Sequence, residues 1–181
     1  ETLRSNFYEG SWQADKCEKH SIFLSQGDYP IKGLHYMLKA MPGILKKYPD
    51  TKVYVAGNSI ANYRTLKDKI KISSYGKYIL ELLREHKLEE KVILLGRMNA
   101  EEMKEQFLKS GLFVCPSVIE NSPNSLGEAM LLGVPCVTAE VGGIRSIFRD
   151  GVDGIAYPGY GAECYAHEAD KEAAQAQVLA E

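Results

Sequence analysis

The sequence predicts a doubly wound α/β domain, a parallel sheet of about six strands with helices on both faces. Three observations predict it. Short apolar segments recur along the chain. Each is a continuous run and not an alternation, which marks strands covered on both faces. Between them lie stretches with helical spacing, the signature of βαβ units.

The elements follow in order. Residues 1–20 are polar and irregular and read as an interdomain linker; residues 21–161 form the domain. "SIFLS" (21–25) is the first strand. Leu34, Met37, Leu38, Met41 and Leu45 make a helical stripe, in which Pro42 is expected to kink or break the helix. "KVYVAG" (52–57) is the second strand. The lysine-rich stretch 57–76 reads as a solvated loop or helix face. Tyr78, Leu82 and Leu83 support a helix ending near Lys87, before the third strand, "KVILLG" (91–96). Asn99 and Glu102 form a capping-box pattern ahead of Met103 and Phe107. "GLFVCP" (111–116) follows, then a helix led by Leu126, Ala129 and Met130 and stopped by Gly133. "VPCVTA" (134–139) and "GIAYPG" (154–159) complete the sheet. Residues 162–181, rich in Ala, Glu and Gln, read as a C-terminal helix with a weak apolar face.

Composition bounds the function. The chain has 181 residues, 45% hydrophobic and 25% charged, with a net charge of -2, so one sizeable core is expected and nothing basic invites nucleic acid. Cys17, Cys115, Cys136 and Cys164 lie far apart without a C-x-x-C. Cys115 and Cys136 fall in strand-like runs, which suggests buried, reduced thiols and a cytoplasmic protein. No apolar run reaches transmembrane length. His20, His35, His86 and His167 are scattered, so no metal site is expected. No G-x-G-x-x-G follows the first strand, which argues against a dinucleotide cofactor. The chain opens on Glu1, which suggests a piece of a longer polypeptide.

"PSVIENSPNSLGEAMLLGVP" (116–135) carries the chemistry. Ser125 and Glu128 fit a capping box, and a carboxylate in a first helical turn suits the helix dipole. Glu120 taken alone reads as a solvated loop residue. The stretch also leaves a strand and opens a helix, where doubly wound sheets bind ligands. A helix N-terminus there offers backbone N–H groups to a phosphate. Carboxylates beside it would accept hydrogen bonds from vicinal sugar hydroxyls. A diphosphate flanked by carboxylates describes a nucleotide-sugar site. Lys32, unfavourable to the dipole at a helix start, is either solvated or a phosphate contact. Gly142-Gly143 serves either a tight turn with positive φ or a close backbone approach to a ligand.

Glu120 and Glu128 form E-x7-E, followed by "AMLLGVPCVTAEVGG", preceded by "YPIKGLHYMLKAM" and trailed by "DGVDGIAYP". This ordered set, over about residues 20 to 160, resembles the C-terminal half of the group 1, family 4 glycosyltransferases of the GT-B fold. The resemblance implies a Rossmann-like domain that binds a UDP-sugar or GDP-sugar donor. It points to Glu120 as the catalytic residue that contacts the donor sugar. It points to Glu128 for the ribose, to backbone amides of Asn124, Ser125 and Leu126 for the diphosphate, and to Lys32 for phosphate charge. Arg97 and Met98 match the region that lines the nucleobase. Gly27 falls in the donor-binding set, where many members carry an arginine; either phosphate neutralisation is weaker here or another cation, such as Arg97, helps. "GGIRSI" (142–147) lacks a glutamate that members often carry.

The resemblance further implies hexosyl transfer with retention at the anomeric carbon, without a metal or cofactor, in polysaccharide biosynthesis. The acceptor glycan or lipid-linked sugar would bind mainly to an N-terminal domain absent from this sequence, so this fragment alone is expected to be inactive. Peripheral membrane association of the full-length protein is compatible with such an acceptor. Two alternatives stand beside this reading: a non-catalytic nucleotide-sugar binding module, and a nucleotide-sugar epimerase of the same architecture.

Overall fold

The computed structural model describes residues 3–58 and 73–159. The expected C-terminal helix at 162–181, Cys164, His167 and most of the lysine-rich stretch lie outside these residues.

Six parallel strands form one sheet: β1 (Glu18–Leu24), β2 (Lys52–Ala56), β3 (Val92–Gly96), β4 (Ser110–Cys115), β5 (Cys136–Glu140) and β6 (Ile155–Pro158). Their order is β3-β2-β1-β4-β5-β6. Neighbouring β1 and β4 are where the chain stops building one half of the sheet and begins the other. Crevices for ligands open at such a switch, beyond the carboxyl ends of the strands.

Both faces of the sheet are covered, as the unbroken apolar runs require. Ile22, Leu24, Val53, Val55, Leu112 and Val114 pack under α1 (Leu34–Lys47) and α2 (Ser74–Glu85). Phe23, Tyr54, Phe113 and Cys136 face the other way, under α3 (Ala100–Lys109) and α4 (Asn124–Leu132). Cys115 and Cys136 are buried, unpaired thiols, as expected. No described helix is long and apolar enough to cross a membrane.

Local signals explain the helix ends. Asn99 accepts from the amides of Glu101 and Glu102 while Glu102 accepts from the Asn99 amide, a complete capping box for α3. α4 stops at Gly133, in the left-handed conformation. Pro42 does not break α1, one of the two outcomes expected of it. The helix runs through it, and Met37, Leu38, Met41 and Ile44 are all buried on its inner face. That burial outweighs the one backbone bond a proline removes.

Residues 3–17 also depart from the expected irregular linker. Ser5–Tyr8 form a 3-10 helix whose Phe7 is fully buried. Its ring stands edge-on to Phe107, which in turn packs edge-on against Phe23 and Phe113. Trp12 donates its ring N–H to the Ser110 carbonyl at 2.8 Å and its amide to the Leu132 carbonyl at 2.7 Å. The segment is therefore a strap across α3 and α4. Phe7→Ala should destabilise the domain by about 3–5 kcal/mol in equilibrium denaturation. A change under about 1 kcal/mol would mean that the strap is not part of the core.

Candidate functional site

The site is built where β1 and β4 end. The loop after β1 carries Ser25 and Gln26, then a single 3-10 turn, Pro30–Lys32. Gly33 follows with φ 76°, and a Cβ there would overlap the Pro116 carbonyl. The Val118 amide donates to the Ile31 carbonyl at 2.9 Å. These close backbone contacts hold Lys32 against the loop that leaves β4. Lys32 Nζ donates to Glu120 Oε1 at 2.5 Å, and Ser117 Oγ donates to the same oxygen at 2.9 Å.

The Glu120 loop is fixed from its other side by Gly142-Gly143. A Cβ on Gly142 would overlap the Glu120 carbonyl, and one on Gly143 the Asn121 carbonyl. The Gly143 amide donates to the Glu120 carbonyl at 2.9 Å. Of the two expectations for this pair, positive φ holds for Gly142 (49°). The tight approach is to the chain's own loop at 120–121.

At α4 the structure corrects the capping box. The N-cap is Pro123, without a side-chain cap bond, and Ser125 lies inside the first turn. Glu128 does not reach back to the helix start. Its side chain is only 2% exposed and takes a bidentate pair from Arg4, Nε to Oε1 at 2.6 Å and Nη2 to Oε2 at 2.7 Å. The pair raises the Arg4 pKa through the Glu128 hydrogen bond. The Arg4 guanidinium also lies 4.6 Å above the Phe7 ring. Leu126 needs correction too. Its side chain is buried in the core and its amide donates to the Pro123 carbonyl at 3.0 Å, so it offers nothing to a phosphate. The amides of Asn124 and Ser125 remain, first-turn donors without an acceptor in the helix.

A cavity of about 340 Å³ gathers these groups: Arg4, Lys32, Glu120, Asn124, Ser125 and Glu128, with Ser25 and Gln26 also in its lining. A second cavity of about 320 Å³ shares Ser25, Gln26 and Met103 with it, and is lined by Asp28, Gly57, Arg97 and Met98. There Asn58 Nδ2 donates to Asp28 Oδ2 at 2.7 Å, while Asp28 Oδ1 is buried without a partner. Gly27 lines neither cavity; its amide donates to the Ala56 carbonyl. Thus Glu120, Lys32, Asn124, Ser125 and Glu128 converge in one cavity, and Arg97 and Met98 in its neighbour. Sequence reasoning missed Arg4, which lies 124 positions from its partner and in a stretch without periodicity. Among the described residues, no group of three His, Cys, Asp or Glu side chains could hold a metal ion.

The model of the family "Glycosyl transferases group 1" matches residues 8–173. The chain belongs to this family. This group 1 glycosyltransferase chain is 31% identical, over 142 residues, to an uncharacterized glycosyltransferase of Methanocaldococcus jannaschii, covering 78% of the chain and 32% of the relative. It is 24% identical over 141 residues to the phosphatidyl-myo-inositol mannosyltransferase of Mycobacterium leprae, covering 77% and 33%. The chain therefore spans about a third of the length of these curated relatives. Its fold matches the C-terminal domain of a group 1 family glycosyltransferase of Francisella tularensis, at 19% identity and a TM-score of 0.67, over 98% of this chain and 91% of that one. It also matches Anabaena HepE, crystallised with UDP-glucose, at 21% identity and a TM-score of 0.64, over 90% and 41%. The sheet is thus the GT-B type expected from the sequence.

Gly143 tests how tightly the site loop is fixed. It has no positive φ, so space alone forbids a side chain there. Gly143→Ala should cost about 1–3 kcal/mol in denaturant unfolding, the range for overpacking. Unchanged stability would mean that the 120–121 loop yields freely.

Proposed function

We propose that the chain is the donor-binding half of a retaining hexosyltransferase that uses a UDP-sugar or GDP-sugar and works in the cytoplasm. The observation that carries the reading is the convergence of Lys32, the first-turn amides of α4 and two carboxylates in one crevice at the β1/β4 switch. The diphosphate lies on the Asn124 and Ser125 amides, and Lys32 turns to it from Glu120. Glu120, relieved of the ammonium, accepts hydroxyls of the donor sugar; it orients the sugar and does not attack it. Glu128 faces the ribose. The second cavity, lined by Arg97 and Met98, takes the nucleobase.

In the transfer, the bond from the anomeric carbon to the diphosphate breaks and the diphosphate keeps the electron pair. The acceptor oxygen bonds to the same face of that carbon and passes its proton to the oxygen of the departing diphosphate. In this reading the α4 N-terminus and Lys32 meet the charge that develops on the leaving group, the task otherwise given to a metal ion. The acceptor, a glycan or lipid-linked sugar, sits mainly on a further domain of the full-length protein.

A thermal-shift panel of UDP, GDP, ADP and their sugars tests the reading, since a ligand of the folded state raises its melting temperature. One nucleotide and its sugar should stand out; no shift with any of them overturns it. Lys32→Ala should weaken nucleoside-diphosphate binding by about 1.5–3 kcal/mol, the worth of a hydrogen bond to a charged group, and spare the nucleoside. Equal loss for both would mean that Lys32 acts through the fold. Glu120→Ala removes the competitor for Lys32. By calorimetric titration it should spare or tighten nucleoside-diphosphate binding while abolishing the added affinity of the nucleotide-sugar. Retained preference for the sugar would take Glu120 out of the donor site.

A further inference from the structure

Resting on that reading of the crevice, we infer that Arg4 is a second diphosphate-binding cation, delivered to the donor site by the N-terminal strap. Among the described residues, the cations that line the main cavity are Arg4 and Lys32. The loop after β1 offers no other there, because position 27 is a glycine with its amide spent on Ala56. Each cation faces one carboxylate: Lys32 faces Glu120, and Arg4 faces Glu128. The four charges cancel. A diphosphate entering this neutral pocket gains little beyond the α4 amides unless the cations change partners.

The two sides of the Arg4–Glu128 pair are not equally placed to move. Glu128 is held in the wall of the pocket at 2% exposure, whereas the Arg4 side chain is 43% exposed. Phe7, three residues on and fully buried, anchors the strap. Leu3, one residue before, rests near Gly127, where a Cβ would meet it at 3.0 Å. Backbone on either side of Arg4 is therefore pinned to the domain while the guanidinium reaches over solvent. A planar guanidinium that binds a carboxylate bidentately also fits a phosphate. Arg4 turning toward the diphosphate leaves the Glu128 oxygens to ribose hydroxyls, the same exchange that Lys32 and Glu120 make on the other side.

Arg4→Gln alone does not isolate this role. It would leave the Glu128 carboxylate unpaired beside the incoming anion and weaken binding by repulsion. The informative comparison is Glu128→Gln against Glu128→Gln with Arg4→Gln. The double variant keeps two amides that can hydrogen-bond each other across the same gap. Each is titrated with whichever of UDP and GDP stabilises the unmutated chain more, and with the matching nucleoside. Adding Arg4→Gln should weaken the diphosphate about tenfold or more, as loss of a charged hydrogen bond does, and leave the nucleoside unchanged. Equal diphosphate affinity in the two proteins would make Arg4 only the partner of Glu128 and overturn the inference. Should that double variant not fold, Glu128→Gln with Arg4→Ala takes its place, since it too leaves no carboxylate unpaired. It should lose diphosphate affinity relative to Glu128→Gln and keep nucleoside affinity, and equal diphosphate affinity overturns the inference. Binding that depends on Lys32 but not on Arg4 sinks this inference alone; no nucleotide binding by the unmutated chain sinks the donor reading and this with it.

Discussion

Two carboxylates sit in the crevice between β1 and β4, and each is largely out of water: the Glu128 side chain is 2% exposed and that of Glu120 9%. Charges so placed must be paired, and removing one partner leaves an uncompensated charge. Much of the surrounding structure can be understood as the means of supplying those partners. Gly33 brings the backbone of the Lys32 turn against Pro116, so that Lys32 reaches Glu120. The Gly142-Gly143 corner clamps the Glu120 loop from behind. Phe7 and Trp12 tie down a strap whose arginine reaches Glu128.

A pocket charged in this balanced way has a consequence for specificity. A simple anion must break the ion pairs to gain the cations, and leaves two carboxylates behind without their cations. A ligand that brings hydroxyls together with phosphates satisfies all four groups at once. This is a physical reason for a nucleotide-sugar to be preferred over a bare phosphate, and it does not depend on any single strong contact. The strap belongs to this balance, since Arg4, in the chain before β1, lines the cavity.

The fold was legible in the sequence because its signals are local. Unbroken apolar runs marked strands covered on both faces, and Asn99 with Glu102 marked a helix start that the structure reproduces bond for bond. The crevice was legible as well, because a strand running into a helix at residues 115–126 marks the carboxyl end of a strand, where such sheets open. What failed were readings in which a local pattern competed with a distant partner. Ser125 and Glu128 have capping-box spacing, yet Glu128 is turned into the pocket by an arginine 124 positions away. Leu126 was expected to lend its amide to a phosphate, but that amide already bonds Pro123 and the side chain fills the core. A break of α1 at Pro42, one of the two outcomes expected there, does not occur, because the buried stripe on either side of it prevails. Phe7 and Arg4, without periodic neighbours, gave no sign that the first residues belong to the domain.

The central claim is that this crevice receives a diphosphate by exchanging ion-pair partners. The most direct measurement is a crystal structure of the chain with its preferred nucleoside diphosphate bound. The diphosphate should lie on the Asn124 and Ser125 amides, with Lys32 turned from Glu120 and Arg4 turned from Glu128 to reach its oxygens. A nucleotide bound elsewhere, or bound there with both ion pairs unbroken, would contradict it.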